Sequence, residues 1–546
     1  MNKTLSKSVA FLALGAGFAS GSENNSAPQP PNIIFIMSDD HAWQAVSAYN
    51  ERLQYVAPTP NIDRIAEDGM RFDRCLVTNS ICGPSRATIL TGKYCHLHGY
   101  AANDYILREV FDGSQQTFPK LMQEVGYHTA MIGKWHLGSE PTGFDHWDIL
   151  PGQGHYYNPD FINKDGRYSV HGYVSDIITD KSIEWMASLG EDSAPFMIKV
   201  HHKAPHREWE PGPKYLNRFK GVEFPEPENL FDDYSGMGTA AREQDMSIEH
   251  TLRLEADLKM WPPDASGGQY QRTVGRLDEE QRRLWDMTYE PIREEFERLD
   301  LQGDDLIRWK YQRYLYDYLA TIQSIDESVG RILQFLDESG LNENTIVIYT
   351  SDQGFYLGEH GWFDKRFMYE ESYRTPLVVK WPGVIKPGSV NTDIVSNLDF
   401  AQTFLDIAGA PEPGDMQGMS IVPLLQGEEV TDWRQEHYYH YYEFPAVHSV
   451  KRHYGIATDR YKLMHFYYDI DEWELYDLKT DPHEMQNVYD DPDYRAVRDE
   501  LHIRLNNLRE KYGDTDLENS FRLVPVRDRD EAFEEYLENL LEKYGS

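Results

Sequence analysis

Residues 32–38 read NIIFIMS and stop on Asp39 and Asp40; residues 345–351 read TIVIYTS and stop on Asp352 and Gln353. A continuous apolar run of this length marks a strand covered on both faces, the habit of parallel strands in α/β sheets. Ahead of the second run, Leu315, Leu319, Ile322, Ile325, Val329, Ile332, Leu333 and Leu336 recur at helical spacing, predicting a helix that feeds the strand. HTAMIG at 128–133 and PFMIKV at 195–200 predict two more buried strands, each followed directly by polar, reactive residue types. In open α/β sheets ligands bind beyond the carboxyl ends of the strands, so these four strand ends are expected to converge on one site.

A chain of 546 residues exceeds the size at which one core keeps growing, which predicts a large domain and a smaller one. The α/β catalytic domain is expected over 30–430. Within it, 208–310 is acidic, contains tryptophan and reads as a largely helical insertion, either a rim over the sheet or a plain surface elaboration. After LLQGEEVTDW the sequence turns densely aromatic, EHYYHYYEFPAVHSVKRHYG onward, and alternates as antiparallel strands do. With the helical pattern EAFEEYLENLLEKY near its end, 431–546 is predicted to be a small α+β domain.

Lys3 and Lys7 precede an apolar stretch from Val9 to Phe18, then small and polar residues. This predicts a signal peptide over 1–21 and an exported protein, periplasmic or secreted. No later segment reaches the roughly 20 apolar residues that span a bilayer. The formal charge of −38, from 53 basic and 91 acidic residues, repels nucleic acid and anionic membranes as partners. An anionic substrate would have to be drawn by a local cationic pocket. The cysteines are Cys75, Cys82 and Cys95, too few for a disulfide scaffold; with Cys82 set aside for chemistry, Cys75 and Cys95 are the one pair open to a bond.

The most specific motif is Cys82-Gly83-Pro84-Ser85-Arg86 followed by ATILTGKY. Pro84 favours a helix start, setting residue 82 at a helix N-terminus, where backbone N–H groups favour an anion. The run resembles the signature of the formylglycine-dependent sulfatase family: Cys or Ser, any residue, Pro, Ser, Arg, then Leu, Thr, Gly, here Leu90, Thr91 and Gly92. The resemblance implies an alkaline-phosphatase-like α/β fold with a large mixed sheet and a small C-terminal domain. It also implies oxidation of Cys82 to formylglycine (3-oxoalanine) by a formylglycine-generating or anaerobic sulfatase-maturating enzyme. A hydrated aldehyde carries two hydroxyls on one carbon, one to attack sulfur and one to expel sulfate afterwards, which serine or cysteine cannot do.

The resemblance extends along nearly the whole chain, block by block. Asp39, Asp40, Asp352 and Gln353 are expected to hold calcium, a hard cation that takes oxygen ligands, with modified Cys82 completing the shell; the family shows Asn or His where Gln353 stands. In GKWHLG, Lys134 is expected to hold a sulfate oxygen and His136 to act as general base. In HHKAPHREW, His206 is the candidate for the leaving oxygen and His202 its rival. In TSDQGFYLGEHGWFDKRF, Lys365 is the second sulfate-binding lysine. Arg86, Lys134 and Lys365 together would form the cationic pocket. Taken singly, each of these residues has an ordinary reading as a turn or surface residue.

His448, Arg452 and His453, in HSVKRHYG, are the candidates for a sugar subsite, unless they merely knit the sheet. The expected substrate is a 6-O-sulfated N-acetylglucosamine-type glycan, with an algal polysaccharide such as ulvan or carrageenan as the alternative. Phosphodiester or phosphonate ester hydrolysis on the same site, and a silent glycan-binding relative, are the competing classes.

Overall fold

The structure is a computed structural model that describes residues 30–103, 110–190 and 194–524. The expected signal peptide at 1–21 and the expected terminal helix at 531–544 lie outside the described residues. In chain order the first strands are β1 (Asn32–Ser38), β2 (Met70–Leu76), β3 (His128–Lys134), β4 (His146–Leu150), β5 (Asp160–Asn163), β6 (Gly166–Ser169), β7 (Phe196–His201) and β8 (Thr345–Ser351). A small hairpin, β9 (Tyr356–Leu357) and β10 (Phe363–Asp364), precedes β11 (Arg374–Lys380), β12 (Ser389–Asn391) and β13 (Val395–Ser396). The large sheet runs β12-β2-β11-β8-β1-β7-β3-β4-β5-β6, with β13 beside β2.

β8, β1, β7, β3 and β4 are parallel neighbours, and β11 runs against β8, so the sheet is mixed. The unbroken apolar run of β1 is explained by two cores. Ile34 and Ile36 share one with Leu319, Ile322 and Val329 of the long helix Gly303–Ser339. Ile33, Phe35 and Met37 enter the other, where Phe35 meets Phe400 and Phe404 of the helix Phe400–Ala408. Each fully buried side chain of this kind contributes about 1.5–3 kcal/mol, so both layers fix the strand. In register, Ser38 lies opposite Ser351, Met37 opposite His201, and Gly133 opposite His201. The four predicted strand ends are therefore level, on one edge of the sheet.

The stretch 208–310 departs from the helical expectation in its first half. From 208 to 267 the only α-helix is the short Thr239–Glu243; regular helix resumes at Gly268–Thr273 and Glu279–Leu299. Pro211, Gly212, Pro213, Pro225, Pro227, Gly236 and Gly238 interrupt it, since proline removes a helical donor and glycine adds backbone freedom.

The C-terminal sheet comprises β14 (His437–Tyr441), β15 (His453–Ala457), β16 (Tyr461–Phe466) and β17 (Glu472–Asp477), an antiparallel meander with the helix Arg495–Tyr512 behind it. Its aromatic density has a structural cause. Tyr439, Tyr441, Phe466 and Tyr476 face Phe367 and Tyr369 of the large domain, while Tyr438, Ile456, Leu463 and Leu475 face Leu501, Leu505 and Leu508 of the helix. Cys75, Cys82 and Cys95 are all free and buried, so the Cys75–Cys95 pair is not bonded. Among the described residues no helix is long and apolar enough to cross a membrane.

Candidate active site

Beyond the level strand ends the backbone is cross-braced. The Asp40 N–H donates to Asp352 Oδ1 (3.1 Å), the His41 N–H to Ser351 Oγ (2.9 Å), and the Asp352 N–H to Ser38 O (3.2 Å). Asp40 has left-handed backbone, φ 67°, a conformation aspartate tolerates better than most residues. The helix Cys82–Thr91 starts over this edge with Ile81 as its extended cap. The Gly83 N–H, one of the helix's unsatisfied donors, donates to Asn103 Oδ1 (3.1 Å). A Cβ on Gly83 would stand 2.8 Å from both Asn103 and Tyr100, so the close approach requires glycine. Cys82 thus sits at the helix N-terminus, as predicted.

The structure brings Asp39, Asp40, Cys82, Arg86, Lys134, His206, Asp352, Gln353 and Lys365 together. Ligand atoms of Asp39, Asp40 and Asp352 lie within 4.8 Å of one another, as do those of Asp39, Cys82 and His206. Lys134 Nζ contacts Asp39 Oδ2, and Lys365 Nζ contacts Asp40 Oδ1 while standing 3.3 Å from Cys82 Sγ. Gln353 Nε2 donates to Asp40 Oδ1. His206 turns Nδ1 to the Arg207 carbonyl (2.6 Å) and Nε2 toward Asp40 Oδ2 (3.8 Å). Arg86 is placed differently from the expected open pocket. Its Nε and Nη2 donate to Asp352 Oδ2 and its Nη1 to the Lys134 carbonyl (2.6 Å), and the side chain is only 2% exposed. It braces the carboxylates from behind.

Burial governs the electrostatics here. It pushes the Asp40 carboxyl up to about 7, with Lys365 opposing and Asp352 and Asp364 reinforcing. It raises the Cys82 thiol, which Lys365 only partly offsets. It lowers Lys134 well below the usual lysine range, Asp352 opposing. For Lys365 burial is outweighed by Asp40 and Cys82, which hold the ammonium above its ordinary value. Asp39 Oδ1, Asp40 Oδ2 and Gln353 Oε1 are buried acceptors with no hydrogen-bond donor. Buried oxygens of this kind are ordinarily satisfied, and an all-oxygen set of three carboxylates and an amide fits a hard divalent cation such as calcium.

The remaining candidates divide. His136, φ 54°, lies in the loop after β3 with Nε2 3.1 Å from Gln153 Nε2. His202 is not brought to the site: its Nε2 bonds Ser328 of the long helix (3.0 Å), and burial lowers its pKa to about 4. Arg452 is buried and donates to the carbonyls of Phe444 and Val524. His453 accepts from the Met368 N–H and stacks on Tyr439. Both are structural here: Arg452, just ahead of β15, ties Phe444 to Val524, and His453, the first residue of β15, ties the sheet to Met368. His448 alone approaches, with Nε2 3.1 Å from Asp364 Oδ2, beside Lys365. Gln153, Asn103, Asp364 and Arg366 were missed; for Gln153 the available signal was a strand, HWDIL, ending in the turn PGQG.

Residues 31–410 match the family model described as Sulfatase, and 358–511 the one described as N-sulphoglucosamine sulphohydrolase, C-terminal. The N-acetylglucosamine-6-O-sulfatase of Bacteroides thetaiotaomicron is 53% identical over 497 residues, covering 89% of this chain and 87% of its own. A protein solved in complex with its substrate D-glucosamine-2-N,6-O-disulfate superposes with a TM-score of 0.86 at 52% identity, over 89% of this chain and 99% of that one. A phosphonate monoester hydrolase from Silicibacter pomeroyi shares the fold, with a TM-score of 0.65 at 20% identity over 89% of this chain and 96% of its own.

Proposed function

This chain belongs to the sulfatase family and hydrolyses sulfate esters, and from that premise we propose that it removes the 6-O-sulfate from N-acetylglucosamine-type residues of sulfated glycans. The observation that carries the substrate is the 53% identity, sustained over 89% of the chain, to a relative named N-acetylglucosamine-6-O-sulfatase. The disulfated glucosamine bound by the 52% identical structure supports the same sugar.

Calcium and a formylglycine formed from Cys82 are part of this proposal, with Asp39, Asp40, Asp352 and Gln353 as the protein's metal ligands. When present, the cation supplies fixed positive charge beside the sulfate and the aldehyde hydrate supplies the attacking hydroxyl. Lys134 and Lys365 neutralise the sulfate oxygens and the charge that builds as the sugar–oxygen–sulfur bond breaks. His136 takes a proton at Nε2 as general base, and His206 faces the leaving oxygen through Nε2. Arg86 holds the Asp352 carboxylate in place through two donors. His448 and Arg366, both paired with Asp364 beside Lys365, form the wall assigned to the sugar. A leader over 1–21, export to the periplasm or beyond, and a sulfatase-maturating enzyme as partner complete the reading.

One preparation, coexpressed with a maturating enzyme, tests it. The tryptic peptide containing Cys82 is weighed, and release of sulfate with calcium is followed from N-acetylglucosamine-6-sulfate, glucosamine-2-N,6-O-disulfate, N-acetylgalactosamine-6-sulfate, carrageenan and ulvan oligosaccharides. An aldehyde or hydrate mass with fastest release from the two glucosamine sulfates is expected. Faster release from the algal oligosaccharides would move the substrate to that class. Faster turnover of an aryl phosphodiester than of an aryl sulfate would overturn the chemistry.

A further inference from the structure

β4 ends at Leu150, paired in register with Lys134 of β3, and the chain then turns through Pro151-Gly152-Gln153-Gly154. Gly152 and Gly154 take left-handed backbone, φ 54° and 70°, and the Gly154 N–H closes the turn on the Pro151 carbonyl at 3.0 Å. Glycine adopts these angles without steric cost, and a Cβ on Gly154 would stand 2.8 Å from the Leu150 side chain. Two glycines thus turn the half-buried Gln153 back over the end of β3.

The Gln153 amide meets two side chains of the hydrolytic site at once. Its Oε1 accepts from Lys134 Nζ, and its Nε2 lies 3.1 Å from His136 Nε2. Lys134 Nζ is ion-paired with Asp39 Oδ2, and as an ammonium it only donates, so the atom facing Lys134 is the carbonyl oxygen and the atom facing His136 is the NH2. A donating NH2 requires a lone pair on His136 Nε2, which leaves the ring proton on Nδ1. His136 also stands at φ 54°, a conformation that persists only where surrounding contacts over-determine it; the amide is one such contact.

We propose that Gln153 is a positioning residue of this site: its amide holds His136 as the Nδ1–H tautomer, with Nε2 as the basic atom, and fixes the imidazole relative to Lys134. The proposal rests on the reading above that Lys134 and His136 serve sulfate hydrolysis. The position demands a side chain with an acceptor and a donor on one carbon at this reach. Ionised glutamate offers acceptors alone, leucine neither, and asparagine is one methylene short.

The test uses the full, matured, calcium-loaded protein with Gln153→Leu, Gln153→Glu and His136→Ala. Two readouts are taken: kcat and KM against pH on glucosamine-2-N,6-O-disulfate, and the imidazole ¹⁵N resonances of histidine-labelled protein, with His136 assigned by its loss in His136→Ala. Expected is a fall in kcat of about 10- to 100-fold in both Gln153 variants, KM changing by less than about threefold, and a displaced His136 Nε2 resonance. In Gln153→Glu a carboxylate beside the ring favours imidazolium, so the acid limb of kcat moves to higher pH. The proposal is overturned if Gln153→Leu leaves the His136 resonances in place, whether kcat holds, which makes the amide idle, or falls, which makes it packing alone. Wild-type turnover in His136→Ala would instead remove His136 as the base, and the resonances would still decide whether Gln153 sets its tautomer.

Discussion

Asp352 is held from two sides by its two oxygens: Oδ2 accepts from Arg86 Nε and Nη2 at 3.1 and 2.9 Å, and Oδ1 accepts from the Asp40 N–H at 3.1 Å. One carboxylate therefore ties the helix carrying Cys82 to the strand end carrying Asp40. Both partners are buried, so neither can rehydrate when the other is lost. Arg86→Ala is expected to cost about 3–5 kcal/mol in chemical denaturation. Arg86→Lys should restore only part of this, because it keeps the charge and loses the fork. Full stability in Arg86→Ala would sink the brace.

Removing calcium should destabilise the protein more than a surface chelation effect would. Asp39, Asp40 and Asp352 crowd within 4.8 Å, and a ligand that binds only the folded state adds about 2.7 kcal/mol when present at 100 times its Kd. Dialysis against a chelator should lower Tm and added calcium restore it, with magnesium the poorer substitute because it dehydrates reluctantly. Asp39→Asn should blunt the calcium response. A Tm indifferent to calcium would count against the metal assignment.

Of the three histidines in HHKAPH, His202 and His206 should separate cleanly. His206→Ala is expected to lower kcat by about 10²- to 10⁴-fold on a sugar sulfate and by less on an aryl sulfate, whose leaving group needs little help. His202→Ala removes one of the two partners of buried Ser328, which keeps Thr179, and should cost about 0.5–1.5 kcal/mol in stability with kcat little changed. The reverse pattern would exchange their roles.

Asp257 links acid stability to the site loop. It accepts from Arg207 Nε at 2.7 Å and Nη2 at 2.6 Å. Burial alone would raise its pKa, but the Arg207 guanidinium outweighs burial and holds it below the usual carboxylate range. A depressed folded value means the contribution is complete above the unfolded pKa of about 3.9 and shrinks as pH falls below it. Tm should therefore drop through this acid range, and Asp257→Asn should flatten that slope. An unchanged slope would discard the linkage. Because Arg207 follows His206 directly, the insertion also anchors the loop that carries it.

What could be read in advance followed from periodicity and from local motifs. β1 and β8 were legible to the residue, since an apolar run buried by helices on both sides has no competing pattern, and the PSR turn announced the helix at Cys82. His202 and His206 could not be separated, because the loop leaves β7 without regular spacing and only the packing of His202 on Ser328 distinguishes them. Arg452 and His453 looked like sugar contacts because a charged residue among tyrosines reads as exposed. The groups that bury them, Phe521 and Val524 around Arg452 and Phe367 beside His453, come from distant sequence. Gln153 is signalled only by the strand HWDIL ending in PGQG, and a glutamine in a glycine turn is common; only its two partners single it out.

Lys134 and Lys365 lie inside a chain whose net charge is −38. Attraction for an anionic glycan is therefore felt at contact, while repulsion from the acidic exterior reaches farther. At about 0.1 M salt charges beyond roughly 10 Å are screened, so the first salt added quiets the distant repulsion and spares the enclosed lysines. Capture should become faster, with kcat/KM rising and kcat constant as ionic strength climbs from a low value, the inverse of an electrostatically steered enzyme. An immediate fall would instead place exposed positive charge at the mouth of the cleft.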